Sequence, residues 1–151
     1  MQRLLEAVLA GAHDDAIEGV EVVVRPALEA DADDVLDADG YLLGTPANFG
    51  YMSGALKHFF DSTFLRIGGS LSSDGAPDRS AGTTAGRPFG LYVHGRYDTE
   101  GAVRSVLSIV TALRWRQAAE VLAVLGDVSE EHHGSAYDLG GTIAALLAPD
   151  L

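Results

Sequence analysis

Residues 40–60, GYLLGTPANFGYMSGALKHFF, constrain the fold more than any other stretch of the chain. Tyr41, Leu42 and Leu43 make a continuous apolar run, the pattern of a strand covered on both faces of a parallel sheet. Pro46 fixes its own φ, carries no N–H and drives Thr45 into an extended conformation, which predicts that the strand stops there. Gly50 and Gly54 let the backbone bend and approach a neighbour closely. From Met52 onward, Met52, Leu56, Phe59 and Phe60 recur at helical spacing, with Ser53 placed to cap the helix.

Strand, sharp loop and helix in that order belong at the carboxyl end of an open α/β sheet, the edge where such sheets hold ligands. The loop offers backbone amides, the Asn48 side chain and two aromatic rings, Phe49 and Tyr51. It has no metal-ligand cluster and no nucleophile with a partner beside it. That set suits a flat, partly polar aromatic ligand better than a phosphate or a hydrolytic centre. It equally suits an ordinary βα turn whose aromatics join the core.

The segment GTPANFGYMSGALKHFFD closely resembles the flavin-contacting loop of the flavodoxin-like NAD(P)H-dependent oxidoreductases, which include FMN reductases and quinone reductases. The pattern G-[ST]-P, a short turn and then K-x-F-[FL]-D is specific to that superfamily. The resemblance implies an α/β, flavodoxin-like doubly wound parallel sheet of strand order 2-1-3-4-5. It implies FMN as cofactor, NAD(P)H as electron donor and a small-molecule acceptor such as a quinone or free flavin. By position, Thr45, Pro46, Ala47, Asn48, Phe49, Gly50, Tyr51 and Met52 would contact the isoalloxazine ring, with backbone amides toward its polar edge. No side chain is assigned as a catalytic acid or base, because the hydride or electron chemistry belongs to the flavin.

The rest of the chain fits one domain covering residues 1–151, and a 47% hydrophobic content is enough for a core. No apolar run reaches the length of a membrane span, and no cysteine is present for disulfides or thiolate catalysis. These features fit a cytoplasmic protein with no membrane partner. The net charge of −12 repels a phosphate backbone, which argues against nucleic acid. It suits solubility, and it also suits a non-enzymatic, flavodoxin-type electron carrier docking a redox partner.

Residues 3–12 read as a helix with Leu4, Leu5, Val8 and Leu9 on its apolar face and Gly11 at its end. Residues 20–24, with four valines, read as an edge strand ended by Pro26. Asp31, Asp33, Asp34, Asp37 and Asp39 crowd a short helix and read as a solvated acidic face; the central glycine and closing glutamate of a calcium loop are missing. Residues 67–86 are rich in Gly, Ser, Thr and Asp, and the whole of 67–87 reads as a flexible loop or flap, with Arg79 and Arg87 as cations for a phosphate.

Residues 88–94, PFGLYVH, form a second buried strand. After them comes a glycine-bearing loop, then a helix capped by Asp98 or Thr99 with Val103, Val106, Leu107, Val110 and Leu113 on one side. In the resembling superfamily this loop is the other wall of the flavin site, and His94, Gly95, Arg96 and Tyr97 match it, with Tyr97 placed to stack on the ring. Read without the resemblance, Tyr97 is a surface loop residue and His94 a strand-end histidine bonded to backbone. Residues 120–125 make a further strand, and Ser135 with Asp138 resembles a capping box for a last helix. His132 and His133 fall in the loop before it, lack a third ligand and are not read as a zinc site.

The chain starts where the first helix of that fold starts. Strand one, and the Ser/Thr/Asn-rich loop that would hold the FMN phosphate at a helix N-terminus, are not recognisable in MQRLLEA. Loss of about five buried strand residues would cost on the order of 7–15 kcal/mol, and loss of the phosphate contacts would weaken FMN binding roughly a thousandfold. The expectation is therefore a reading frame that extends upstream of Met1. A naturally short chain would instead fill the gap as a homodimer or stay partly unfolded.

Overall fold

In the computed structural model, which describes residues 1–71, 73–74 and 82–149, α1 (Gln2–Ala12) and α2 (Ala32–Asp37) precede the first strand, β1 (Tyr41–Asn48). Then follow β2 (Tyr51–Met52), α3 (Gly54–Thr63), β3 (Pro88–Gly95), α4 (Glu100–Ala112), β4 (Arg116–Gln117), β5 (Leu122–Leu125) and α5 (Glu130–Leu147). β3 is the middle of the sheet. It pairs in parallel with β1, from Tyr41 opposite Phe89 to Pro46 opposite His94. Its other edge takes β4 and β5 end to end, also parallel.

Helices cover both faces, as the alternation of side chains along a strand requires. Phe89, Leu91 and Val93 bury into a core with α2, α3 and α4. Tyr92, between them in sequence, joins Val124, Leu4, Val8 and Leu139 under α1 and α5. The two-sided cover explains why β3 is apolar along nearly its whole length.

Several elements depart from the sequence expectation. β1 does not stop at Pro46 but runs on to Asn48, because a proline's fixed φ is compatible with extended backbone and its missing N–H falls at the last rung shared with β3. Residues 20–24 form no strand. Valines favour a pleated surface only where a neighbouring strand takes their hydrogen bonds, and none does so among the described residues; Val23 and Val24 stay exposed. Among the described residues, only the two-residue β2 lies beyond β1, opposite β3, so the strand order is β2-β1-β3 followed by β4 and β5.

Gly11 does not end α1 but lies inside it. A Cβ there would sit 1.8 Å from the Tyr137 carbonyl oxygen, so the glycine serves the close approach of α1 to α5. α5 begins at Glu130, before the expected cap. Ser129 and His132 form its capping box, placing His132 and His133 in the helix rather than in a loop. Asp31 and Asp34 form a second capping box, which accounts for part of the acidic cluster.

The loop after α3 is anchored at its base. Ile67 and Thr84 are fully buried; Thr84 Oγ1 donates to the Ile67 carbonyl and accepts from Trp115 Nε1, each at 2.7 Å. Arg79 lies outside the described residues. Arg87, expected to meet a phosphate, is committed elsewhere: its Nη1 lies 2.8–3.1 Å from the carbonyls of Val35, Leu36 and Ala38 and from the Tyr41 hydroxyl. It fastens the C-terminal end of α2 to β1.

Candidate functional site

Because β1 and β3 are parallel neighbours, the loops leaving them share one edge, and Pro46 stands beside His94 there. Both groups of residues expected from sequence are thereby brought together. After β5 the next loop joins the same edge: Gly126 N donates to the Gly95 carbonyl at 2.7 Å, and His94 Nε2 lies 2.5 Å from the Gly126 carbonyl. His94 is thus a strand-end histidine bonded to backbone.

The first loop is a tight hairpin. Ala47 pairs with Met52 and Asn48 with Tyr51, leaving Phe49 and Gly50 as the two turn residues, with φ of 51° and 73°. Positive φ at both positions marks a type I′ turn, for which Gly50 is suited and Phe49 is not. Thr45 locks the hairpin from beneath: its Oγ1 accepts from Ser53 N at 2.9 Å and donates to the Pro46 carbonyl at 2.8 Å. Ser53 in turn caps α3 by accepting from Leu56 N.

The hairpin rests on the start of α4. A Cβ on Gly101 would lie 2.0 Å from the Gly50 carbonyl oxygen, and one on Gly95 would lie 3.0 Å from Ala47 Cβ. Only glycine at 101 admits so close an approach. Asp98 Oδ1 accepts from Glu100 N, so Asp98 secures the first turn of α4, whose N-cap position is Thr99. Arg96 and Asp127 close the rim with an exposed ion pair at 2.7 Å, and the Arg96 guanidinium holds the Asp127 carboxyl below its ordinary range.

The expected residues divide by exposure. Thr45, Met52 and Gly95 are buried; Pro46, Ala47 and His94 are half-buried. Asn48, Phe49, Tyr51, Arg96 and Tyr97 are exposed, Phe49 and Tyr97 almost completely, at 109% and 96%. The aromatics of this turn therefore do not join the core. Among the described residues, the N–H groups of Phe49, Gly50, Arg96 and Tyr97 make no hydrogen bond.

An aromatic rim with unengaged backbone donors fits the ring of a flavin, whose polar edge accepts hydrogen bonds and whose faces stack. Sequence reasoning missed Gly101 and Asp127. A glycine in the first turn of a helix was the available signal for the former, since it lowers helix stability and marks a close approach. Asp127 follows β5, whose register the sequence did not reveal.

The family described as NADPH-dependent FMN reductase matches this chain over residues 9–128. A flavodoxin from Aquifex aeolicus is 37% identical over 70 residues, a segment covering 46% of this chain and 37% of that protein. The chain thus matches well under half of that relative's length. The solution structure of two-electron reduced Megasphaera elsdenii flavodoxin superposes with a TM-score of 0.69, at 14% identity, over 95% of this chain and 89% of the other. An NADPH-quinone reductase from P. pentosaceus superposes at 0.59, with 11% identity, over 98% and 90%. At these identities the two structures establish the flavodoxin-like fold alone.

Proposed function

This chain belongs to the NADPH-dependent FMN reductase family, and on that premise we propose that it is an FMN-dependent oxidoreductase passing electrons from NAD(P)H to a small acceptor such as a quinone or free flavin. The observation that carries the reading is the shared rim of the hairpin and the loop after β3, with unengaged amides beside exposed Phe49, Tyr51 and Tyr97.

When bound, FMN supplies the hydride and single-electron chemistry. The protein's part is to hold and tune. The amides of Phe49, Gly50, Arg96 and Tyr97 would be the donors for the polar edge of the ring, and fixed donors lower the cost of negative charge there. Tyr97 and Phe49 would supply stacking faces, and the Thr45 bonds keep the hairpin from reorganising. No side-chain acid or base is required.

A flavodoxin-type electron carrier is the second reading, supported by the −12 charge and the similarity to a flavodoxin. The two separate in one assay. The FMN-loaded protein is given NADPH with a quinone or free flavin, and NADPH absorbance is followed. Turnover with the acceptor supports the reductase, whereas FMN binding without NADPH oxidation supports the carrier and overturns the first reading.

A further inference from the structure

A groove of about 1110 Å³ runs along one side of α4, bordered by Glu100, Arg104, Leu107 and Ser108 of the helix and by Ala123 of β5. Its upper end is Thr99, two residues from Tyr97, so it opens at the rim of the candidate site. Side chains alternate along β5: Val124 is fully buried with Leu4 and Leu139, which turns Ala123 and Leu125 to the opposite face. Both are exposed there, Leu125 at 56%. Leu125 is in register with Gly95 at the rim, and Ala123 lies two residues, about 7 Å, further down the strand. An apolar floor therefore leads from the rim into the groove.

Charge narrows what can lie in it. In a chain of net charge −12, a phosphorylated ligand needs a cation that is not already engaged. Arg3, Arg25, Lys57, Arg66 and Arg96 sit in ion pairs, and Arg87 is bonded to backbone carbonyls. Arg114 also has a partner. Among the described residues, Arg104 and Arg116 make neither an ion pair nor a hydrogen bond. Arg116 is in register with Pro88, where β3 begins, at the edge of the sheet remote from the rim. Arg104 stands on the groove wall, four residues or about 6 Å along the helix from Glu100 at the mouth.

A pyridine dinucleotide matches this order of features. Its nicotinamide has to reach the flavin at the rim, so its adenosine end extends away from the rim. In NADPH, and not in NADH, that end carries a phosphomonoester on the ribose 2′ oxygen. A guanidinium meets such a phosphate through two parallel N–H···O bonds, a geometry an ammonium lacks. Leu107 and Ala123 offer the adenine ring an apolar bed, and the Ser108 hydroxyl stands one turn beyond Arg104. The groove is also large enough, since small-molecule sites begin at roughly 300 Å³.

We propose that this groove is the adenosine subsite of the electron donor, that Arg104 holds the 2′-phosphate, and that the protein prefers NADPH to NADH for that reason. The assignment rests on the oxidoreductase reading above and adds to it a specificity-determining residue outside the flavin rim.

The test is calorimetric titration of the full chain, with and without FMN, using 2′,5′-ADP, which has the phosphomonoester and no nicotinamide. Binding at micromolar concentration is expected, at least about tenfold weaker in Arg104→Ala and partly recovered in Arg104→Lys. Arg116→Ala removes the same charge far from the groove and is expected to leave binding within about twofold. With a quinone as acceptor, Arg104→Ala is expected to raise KM for NADPH at least about tenfold, leaving kcat and the KM for NADH within about twofold. Arg104 is exposed on the helix, so its variants keep the fold, which circular dichroism checks. Absence of 2′,5′-ADP binding, an equal KM for the two dinucleotides in the wild type, or binding indifferent to Arg104→Ala would overturn the proposal. So would a loss shared by NADH or by Arg116→Ala. Calorimetry needs no turnover, so Arg104-dependent binding of 2′,5′-ADP by a chain that oxidises no NADPH would sink the functional reading alone. Turnover of NADPH that ignores Arg104 would sink the subsite alone.

Discussion

Gly101→Ala tests whether the candidate site depends on the contact between hairpin and helix. The added methyl would begin 2.0 Å from the Gly50 carbonyl oxygen. Ordinary carbon–oxygen contacts lie at about 3.3–3.6 Å, so the hairpin or the first turn of α4 must move by more than about 1 Å. Gly101 has no positive φ, and the effect is steric rather than conformational. Overpacking of this kind costs about 1–3 kcal/mol, which in a chain of this size lowers Tm by about 2–12 °C. The displaced carbonyl belongs to Gly50, so the Phe49 and Gly50 amides move with it. Loss of one or two hydrogen bonds at about 1 kcal/mol each weakens FMN binding by roughly five- to thirtyfold. Fluorescence quenching of FMN reads the affinity, and differential scanning calorimetry reads Tm. Gly54→Ala is the control. Nothing lies within 4 Å of a Cβ there, and alanine favours the helix it begins, so Tm is unchanged or slightly raised and FMN affinity is unchanged. Equal Tm and equal affinity in Gly101→Ala would refute the reasoning, and so would a matching loss in Gly54→Ala.

Other perturbations probe different links. Arg87→Ala removes the donor beside the Val35, Leu36 and Ala38 carbonyls and the Tyr41 hydroxyl and should destabilise by about 2–4 kcal/mol in urea titration, with Arg87→Lys recovering part of the loss. Phe49→Gly relieves a left-handed residue and should leave stability equal or raise it by up to about 1 kcal/mol, while FMN affinity falls with the lost ring. Burial raises the Tyr92 phenol to about 12, so the unfolded chain ionises first as pH rises. Its stabilisation is complete below about pH 10 and lost toward 12, in all about 2–3 kcal/mol. Stability measured from pH 9 to 12 should fall less steeply in Tyr92→Phe than in the wild type.

The parts of the fold legible in the sequence were those with redundant local signals. The helix after Ser53 announced itself by cap, period and apolar face together, and β3 by an apolar run long enough to need cover on both sides. Residues 20–24 carried only composition, and four valines cannot say whether a partner strand lies alongside. The start of α5 was misplaced because Ser135–Asp138 and Ser129–His132 are both plausible capping pairs locally. At the site, motif positions located both loops, but burial did not follow from them. Thr45 and Met52 turn inward, whereas Phe49 is forced outward by a two-residue turn whose geometry is fixed by register rather than by any one residue. Arg87 looked available for a phosphate because its acceptors are backbone carbonyls about fifty residues earlier, which no local pattern reveals.

Titration of FMN with the purified chain, followed by flavin fluorescence and by the visible absorption band, tests the account most directly. Saturable quenching with a shifted band at micromolar protein is the predicted result, and it should weaken in Tyr97→Ala. Unquenched fluorescence and an unshifted band up to about 100 µM protein would contradict the claim that the hairpin and the loop after β3 form a flavin-binding rim.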